Sequence, residues 1–160
     1  MSVHVIRREL WVPRPPAEVF EFFSQARNLE LITPPFLNFR VLTPEPIAMR
    51  VGALISYRLK IRGIPAGWLT EITRWNPPYE FADFQRKGPN RLWDHTHTFH
   101  AENGGTRMVD EVRYALPFGP LGDLVHALLV RRDVELIFNY RNEWIARHFG
   151  GPGHQAGSSS

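Results

Sequence analysis

The sequence predicts an α+β fold in which a curved antiparallel sheet of about seven strands wraps around a long C-terminal helix. Three observations lead to this prediction. Residues 38–116 contain a series of short runs in which apolar and polar residues alternate, as in strands with one buried face. Residues 121–149 have the apolar spacing of a helix, and two short helical segments follow the first strand. The long helix is the obvious cover for the apolar face of the sheet.

The N-terminal part predicts one strand and two short helices. The strand spans residues 3–12 and ends at Pro13–Pro16, because proline cannot continue a ladder of hydrogen bonds. A helix over Ala17–Ser24 follows, with a proline near its first position. A second helical turn covers Ala26–Ile32 and ends at Thr33-Pro34-Pro35, because a residue before proline avoids the helical region.

The middle of the chain predicts the other strands of the sheet, separated by turns rich in proline, glycine and asparagine. They are expected over residues 38–42, 54–62, 66–75, 79–86, 91–101 and 106–116. The run 54–62 alternates most clearly, and Asn103-Gly104-Gly105 is a strong hairpin signal between the last two strands. Strands joined by such short turns are antiparallel neighbours.

The C-terminal helix, predicted over Leu121–Phe149, changes its apolar side along its length. The apolar residues of its first part are Leu121, Leu124, Val125, Leu128 and Leu129. Those of the second part are Val130, Val134, Ile137, Phe138 and Ile145. At about 100° per residue the two sets lie nearly opposite each other. A straight helix cannot bury both against one sheet, so we expect an interruption near Val130–Asp133, or two packing partners.

Composition bounds the function. A length of 160 residues and 43% hydrophobic content suit one domain, expected over residues 1–149, with a disordered Gly/Ser-rich tail over 150–160. The chain has no cysteine, which excludes disulfides, thiolate metal sites and cysteine nucleophiles. No apolar run approaches the roughly 20 residues of a membrane span. Residues 1–8 lack the pattern of a secretory signal. We therefore expect a cytoplasmic protein without stable membrane insertion.

The formal net charge of +3 reflects a basic excess between Arg40 and Arg91. A weakly basic surface of this kind can meet an anionic ligand or a membrane surface, although more often it is simply solvated. No helix carries a basic stripe and no nucleic-acid-binding motif occurs, so nucleic acid is not an expected partner. The oligomeric state cannot be read from the sequence.

The most informative stretch is Trp93–Phe99 on the strand predicted over 91–101. Because side chains alternate along a strand, Trp93, His95, His97 and Phe99 share one face, and this aromatic face should point inward. Two imidazoles then lie inside the protein. Buried polar groups need partners, so the histidines are either satisfied by neighbouring core residues or line a cavity.

Several short motifs resemble those of a known superfamily. They are Ile32-Thr33-Pro34-Pro35, Gly63-Ile64-Pro65, Gly88-Pro89, Trp93, His95, His97, Phe99, the junction Leu116-Pro117-Phe118-Gly119-Pro120-Leu121-Gly122, and Phe138, Tyr140 and Arg141. Over roughly residues 3–148 the chain resembles the helix-grip fold of the START-like superfamily, which includes bacterial polyketide cyclase/dehydrase and coenzyme Q-binding proteins. More narrowly, it resembles bacterial SRPBCC-type proteins of unassigned ligand. The resemblance implies a ligand cavity between the sheet and the C-terminal helix, but this fold serves many functions.

A set of polar residues is predicted to meet inside that cavity, because each falls on the apolar face of its own element. They are His95, His97, Asp110 and Arg141, with Asp83 and Gln85 on the preceding strand. The expected aromatic and apolar walls are Tyr57, Trp68, Trp93, Phe99, Met108, Tyr114 and Phe138. A few polar groups in an apolar cavity are typical of a small-molecule site. The alternative is a buried Asp–His–Arg network that satisfies itself.

Three functions remain open at this stage. The favoured one is binding of a small hydrophobic or amphipathic ligand such as a lipid, a quinone or a polyketide-like molecule, without a cofactor. The alternative is a cyclase or dehydratase in which His95, His97 and Asp110 perform acid–base catalysis. A metal site of His95 and His97 with Asp110 or Asp83 is the least favoured, so no metal is predicted. Residues 118–130 are expected to form a lid over one cavity mouth.

Overall fold

In a computed structural model, which describes residues 2–150, the chain forms one sheet and a set of helices that pack on it. The strands are β1 (His4–Val12), β2 (Arg40–Val41), β3 (Leu54–Ile61), β4 (Ile64–Asn76), β5 (Glu80–Lys87), β6 (Leu92–Glu102) and β7 (Gly105–Ala115). The α-helices are α1 (Pro16–Phe23), α2 (Leu29–Ile32), α3 (Gly119–Val125) and α4 (Arg131–Phe149). Two 3₁₀ turns, Ala26–Asn28 and Pro35–Leu37, flank α2, and a π-helical turn, His126–Val130, joins α3 to α4.

The sheet has seven antiparallel strands in the order β1-β7-β6-β5-β4-β3-β2. This confirms the predicted α+β, helix-grip architecture. The register also explains the clustering of polar residues, because Asp83 pairs with His95 across β5 and β6, and His97 pairs with Asp110 across β6 and β7. Directly paired residues point to the same face of a sheet, so all four side chains lie on the concave side.

Two strands begin two residues away from their predicted starts, for local reasons. The strand expected over 38–42 shrinks to Arg40–Val41, because Asn38 has a left-handed conformation (φ 45°) that ends the preceding 3₁₀ turn. Conversely, β4 begins two residues earlier than expected. The hairpin turn consists only of Arg62 and Gly63, both with positive φ, as a tight two-residue turn requires. Of the tail predicted as disordered, residues 151–160 lie outside the described residues.

The core consists of three clusters of buried residues, and one of them, with Ile55, Tyr57 and Ile72, lies on β3 and β4 beside the main cavity. At one end of the sheet α1 inserts Phe20 and Phe23 against Phe99 and Met108, and Ile145 of α4 joins this cluster. Nearer the other end, a second cluster consists of Ile6, Val112, Tyr114, Val134 and Phe138. The sheet's concave face between these clusters is only partly filled, and this is where the cavities lie.

The interruption predicted near Val130–Asp133 lies earlier in the chain, at the π-helical turn His126–Val130, where the helix changes phase without breaking. The two halves also differ in burial. Val134, Phe138 and Ile145 of α4 are buried, whereas Leu121 and Leu128 are 61% and 68% exposed. Within the described residues, no helix is long and apolar enough to cross a membrane.

Candidate functional site

Two adjoining chambers lie between the sheet and the C-terminal helix. The inner chamber has a volume of about 170 Å³, and the outer chamber, beside the β3–β4 turn and α3, about 800 Å³. The residues that border both are Leu37, Leu59, Trp68, Trp93 and Ile137. Ligand pockets commonly have volumes of roughly 300–1,000 Å³. The outer chamber falls in this range, and the inner chamber extends it into the core.

The inner chamber has an apolar wall and one polar end. Most of its lining is aliphatic or aromatic, but Asp83, His95, His97 and Arg141 also line it. The two histidines and Arg141 are buried, and Asp110, which is also buried, lies behind them. His95, His97 and Asp110 point to the same face of β6 and β7, and Arg141 reaches them from the buried side of α4.

Asp110 is the centre of the polar cluster. Its Oδ1 lies 2.9 Å from His95 Nε2, 3.1 Å from His97 Nδ1 and 3.2 Å from Arg141 Nη2. A carboxylate only accepts hydrogen bonds, so His95 donates from Nε2 and Arg141 donates from Nη2. Nδ1 of His95 is then an unprotonated acceptor in the neutral ring. Among the described residues this atom has no hydrogen-bond partner, and Asp83 Oδ2 is 4.0 Å away.

His97 lies between the two carboxylates. Its Nε2 is 2.8 Å from Asp83 Oδ2, and its Nδ1 is 3.3 Å from Arg141 Nη2 as well as near Asp110. A neutral ring with its proton on Nε2 donates to Asp83 and accepts from Arg141 at Nδ1. Both nitrogens of His97 therefore have partners, whereas one nitrogen of His95 does not.

Aromatic contacts hold these rings in place. The ring of Phe81 stacks on His97 with a centroid distance of 3.9 Å, and His97 stacks on His95 at 3.7 Å. Phe138 contacts His95 edge-on. The guanidinium of Arg141 lies 5.2 Å from the centroid of Phe23, a cation–π contact. The cluster is thus oriented by packing as well as by hydrogen bonds.

The environment sets the charge of each group. Burial would raise the pKa of Asp110, but the Arg141 guanidinium and the hydrogen bond from His95 hold it well below its usual value. Burial likewise opposes ionisation of Asp83, yet its hydrogen bond with His97 and the nearby positive charges lower its pKa. Burial and the neighbouring His97 lower the pKa of His95 to about 4, despite Asp110. At neutral pH the cluster therefore contains two carboxylates and a neutral His95.

The structure brings most of the sequence-predicted residues to the inner chamber. Those that line it are Tyr57, Trp68, Trp93, His95, His97, Phe138 and Arg141. Asp110 holds the histidines from behind. The remaining four, Gln85, Phe99, Met108 and Tyr114, lie outside both chambers, and their expected place in the cavity needs correction.

Each of these four residues faces inward as predicted, but another element fills the space in front of it. Phe99 and Met108 pack in the core cluster beneath α1. The hydroxyl of Tyr114 forms a 2.7 Å hydrogen bond with His126 of the π-helical turn. Gln85 folds over Gly88 and bonds the backbone of Asn90. The alternation of side chains along a strand predicts which face a residue is on. It does not predict which parts of that face are covered by a helix.

Sequence reasoning missed part of the lining. Ile55 and Leu59 share the inward face of β3 with Tyr57, so the same alternation could have found them. By contrast, the contributions from α2 and the loop after it carry no periodic signal; they are Leu29, Ile32, Thr33, Leu37, Phe39 and Met49. The segment expected to form a lid does contribute Phe118, Leu121 and Val125 to the outer chamber.

Among the described residues, Asp83, His95 and His97 are the one group of three potential metal ligands, with their ligand atoms within 4.8 Å of one another. Their nitrogen and oxygen atoms form the donor set that zinc and iron(II) accept. The group lines the inner chamber, so a bound ion would be accessible to a small molecule there.

Comparison with known proteins places this geometry in context. The profile of the family described as "Polyketide cyclase / dehydrase and lipid transport" matches residues 12–138. No curated protein sequence matches the chain significantly.

Many solved structures are similar. TTHA0849 from Thermus thermophilus is 26% identical with a TM-score of 0.61, covering 91% of this chain and 99% of its own. CV1439 from Chromobacterium violaceum has 14% identity and a TM-score of 0.69, covering 91% and 96%. The Zhui aromatase/cyclase from Streptomyces sp. R1128 has 14% identity and a TM-score of 0.62, also covering 91% and 96%. At such identities the last two similarities show the fold alone.

Proposed function

Because this chain belongs to the polyketide cyclase/dehydrase and lipid transport family, we propose that it binds a small hydrophobic or amphipathic molecule, such as a lipid, a quinone or a polyketide-like compound, in the two chambers. The observation that carries the proposal is the polar cluster at one end of an otherwise apolar cavity. An apolar body would fill the outer chamber, and a polar group would reach the cluster.

The cluster favours a particular kind of polar group. His95 Nδ1 and the Asp83 carboxylate are acceptors at the chamber surface, while Arg141 is a donor deeper in the cluster. A ligand hydroxyl or phenol can donate to His95, and this contact would satisfy the ring nitrogen that has no partner among the described residues. The proposed ligand therefore carries at least one hydroxyl or phenol group at its leading end.

The mouth of the outer chamber suits an apolar molecule. Phe36, Phe118 and Leu121 line it and are each at least 60% exposed. Exposed apolar residues around a pocket commonly mark a site where an apolar ligand enters. The exposed apolar mouth and the residues shared by the two chambers support an entry path for the ligand toward the polar cluster.

Binding can be measured through the two tryptophans that border both chambers, Trp68 and Trp93, whose rings lie 5.2 Å apart. We expect the dye 1-anilinonaphthalene-8-sulfonate to bind and to quench their fluorescence. Ile137→Trp, which places a large side chain between the chambers, should weaken binding at least about tenfold. Tyr79→Ser, at an exposed position outside the chamber linings, should leave it unchanged. Equal affinity in the wild type and Ile137→Trp would contradict the proposal.

One observation favours the enzymatic alternative. The pair formed by Asp110 and His95 leaves a neutral imidazole nitrogen facing the chamber, which is the arrangement of a general base oriented by a carboxylate. An Asp–His base of this kind could remove a proton during cyclisation or dehydration, and the fold neighbour Zhui is an aromatase/cyclase. Turnover of a polyketide-like substrate that is lost in His95→Gln, with dye binding retained, would establish this function.

A further inference from the structure

The orientation of both histidines suggests more than a hydrogen-bonded end to a ligand cavity. Each imidazole has one nitrogen near Asp110 Oδ1: Nε2 of His95 at 2.9 Å and Nδ1 of His97 at 3.1 Å. The opposite nitrogens, Nδ1 of His95 and Nε2 of His97, both lie on the side of Asp83. Two rings that share one carboxylate behind them and face a second carboxylate in front are oriented as metal-binding histidines are.

We propose that Asp83, His95 and His97 bind a divalent transition-metal ion, such as Zn²⁺ or Fe²⁺, at the inner end of the cavity. His95 would bind through Nδ1, His97 through Nε2 and Asp83 through its carboxylate. Asp110 would accept the proton of each ring, and Arg141 would hold Asp110. This inference goes beyond ligand binding and does not depend on it; with the ion bound, the ligand's oxygen would meet the ion instead of His95 Nδ1.

Two of the three distances between ligand atoms require only small movements, and all three are within 4.8 Å. Ligand atoms on one tetrahedral ion with bonds of about 2.0–2.2 Å lie about 3.3 Å apart. Asp83 Oδ2 is 2.8 Å from His97 Nε2 and 4.0 Å from His95 Nδ1, so one distance opens and the other closes by less than 1 Å. The proton of His97 moves from Nε2 to Nδ1, where Asp110 accepts it, and Arg141 Nη2 then donates to Asp110 alone.

Charge also favours a cation. Apart from the histidines, the cluster holds two carboxylates, Asp83 and Asp110, and one guanidinium, that of Arg141, which is an excess of one negative charge. A divalent ion would replace this excess with one net positive charge and would occupy the position between groups that already face each other.

The open side of this site is the inner chamber, since all three ligands line it. Three protein ligands with a vacant position facing a cavity are typical of catalytic rather than structural metal sites. A carbonyl, hydroxyl or enolate oxygen of a bound molecule could take the vacant position, and the metal would then act as a Lewis acid toward that oxygen.

The first test uses protein stripped with EDTA and titrated with Zn²⁺ or Co²⁺. We expect one ion per chain, and Co²⁺ should give the visible absorption bands of a four- or five-coordinate ion. Asp83→Asn should weaken binding by roughly 100-fold or more, and Asp110→Asn by about 10–100-fold. His100→Gln, an exposed position on the same strand, and His126→Gln are matched controls that should bind normally. Loss of binding in either control, or normal affinity in Asp83→Asn, would overturn the proposal.

The second test uses the wild-type chain, so it holds even where a variant fails to fold. Nitrogen-15 NMR of labelled histidines should show that Zn²⁺ binds Nδ1 of His95 and Nε2 of His97, with protons on the opposite nitrogens. Unchanged histidine signals after addition of one equivalent of Zn²⁺ would reject the site. Dye binding by the EDTA-treated protein tests the cavity separately, so a metal-free protein that still binds dye would leave the proposed function intact.

Discussion

Two pairs of stacked histidines in this molecule have nearly the same ring geometry and very different surroundings. The rings of His95 and His97 are 3.7 Å apart, and those of His4 and His126 are 3.4 Å apart. The first pair faces two carboxylates and an apolar chamber. The second pair contacts the hydroxyl of Tyr114 and lies in a separate polar cleft of about 300 Å³.

The difference lies in the charged groups around each pair. Burial and the stacked His4 lower the pKa of His126, and Arg131, which lines the cleft together with Glu135, lowers it further, whereas Asp123 raises it. No carboxylate among the described residues lies within 4.0 Å of His4 or His126 to form a salt bridge. The comparison shows that stacked imidazoles by themselves do not identify a site; the sign and position of the neighbouring charges do.

The largest effect on the free energy of unfolding should come from removing Arg141, the cation beside the first histidine pair. Arg141→Leu leaves Asp110 buried without its positive partner, and breaking a buried ion pair typically costs about 3–5 kcal/mol. Arg131→Leu, which removes the exposed cation near the second pair, should change the free energy of unfolding by less than about 0.5 kcal/mol. Urea denaturation of both variants measures this contrast. Equal losses would mean that the two pairs do not differ as described.

The next largest effect concerns acid. The unfolded chain protonates His95 near the ordinary pKa of about 6.5, but the folded chain does so only near a pKa of about 4. The unfolded state therefore binds more protons between these values, and stability falls by about 3 kcal/mol as the pH drops from 6.5 to 4. His95→Gln should remove this part of the pH dependence.

His126→Gln provides the comparison, since the pKa of His126 is lowered in the same direction. His126→Gln should remove a smaller part of the dependence of stability on pH than His95→Gln does. Below pH 4 the lowered pKa values of Asp83 and Asp110 mean that further acid still destabilises the fold in either variant. Stability curves from pH 3.5 to 7.5 test this, and a wild-type slope in His95→Gln would refute it.

A smaller effect is expected at the second pair itself. Tyr114→Phe removes the hydroxyl that bonds His126 Nε2 and should cost about 1–2 kcal/mol, because the buried ring nitrogen loses its partner. Since Tyr114 lies outside both chambers, dye affinity should not change. A weakened dye affinity would show that the two pairs communicate.

The smallest effect should follow from His4→Ala. His4 stacks on His126 but remains partly exposed, so the loss should be roughly 0.5–1 kcal/mol. Thermal unfolding is sensitive enough to detect it, and binding of Zn²⁺ should be unaffected. A reduced metal stoichiometry in His4→Ala would move the metal site to the second pair.

Alternation along the strands was enough to predict the sheet and the inward direction of His95, His97 and Asp110. It could not predict depth, because Phe99 has the same parity as His97 yet meets Phe20 and Phe23 of α1 rather than the chamber. Nor could it choose between partners. Asp83 and Gln85 share a face of β5, but only the register with β6 places Asp83 opposite His95, while Gln85 lies near the turn.

The apolar residues of the C-terminal helix predicted an interruption but not its form. The change of phase could come from a kink, a break or a π-helical turn, and all three satisfy the same pattern of residues. The choice depends on contacts distant in sequence, such as that between His126 and Tyr114. The same holds for the second histidine pair, because His4 and His126 are separated by most of the chain.

The number of residues in the π-helical turn affects the shape of the outer chamber's mouth. The hydrogen bonds of this turn span five residues instead of four, so the turn holds one surplus residue, and one residue corresponds to about 100° around a helix. Within α3, Gly122 packs directly against the backbone of Pro117, because even a Cβ at this position would clash with the Pro117 carbonyl oxygen. Deleting one residue from 126–130 would rotate Leu121 relative to α4 and reshape the mouth while the residues of the polar cluster stayed the same. Relatives that differ by a single insertion or deletion at this point would therefore admit molecules of different shape to an unaltered inner chamber.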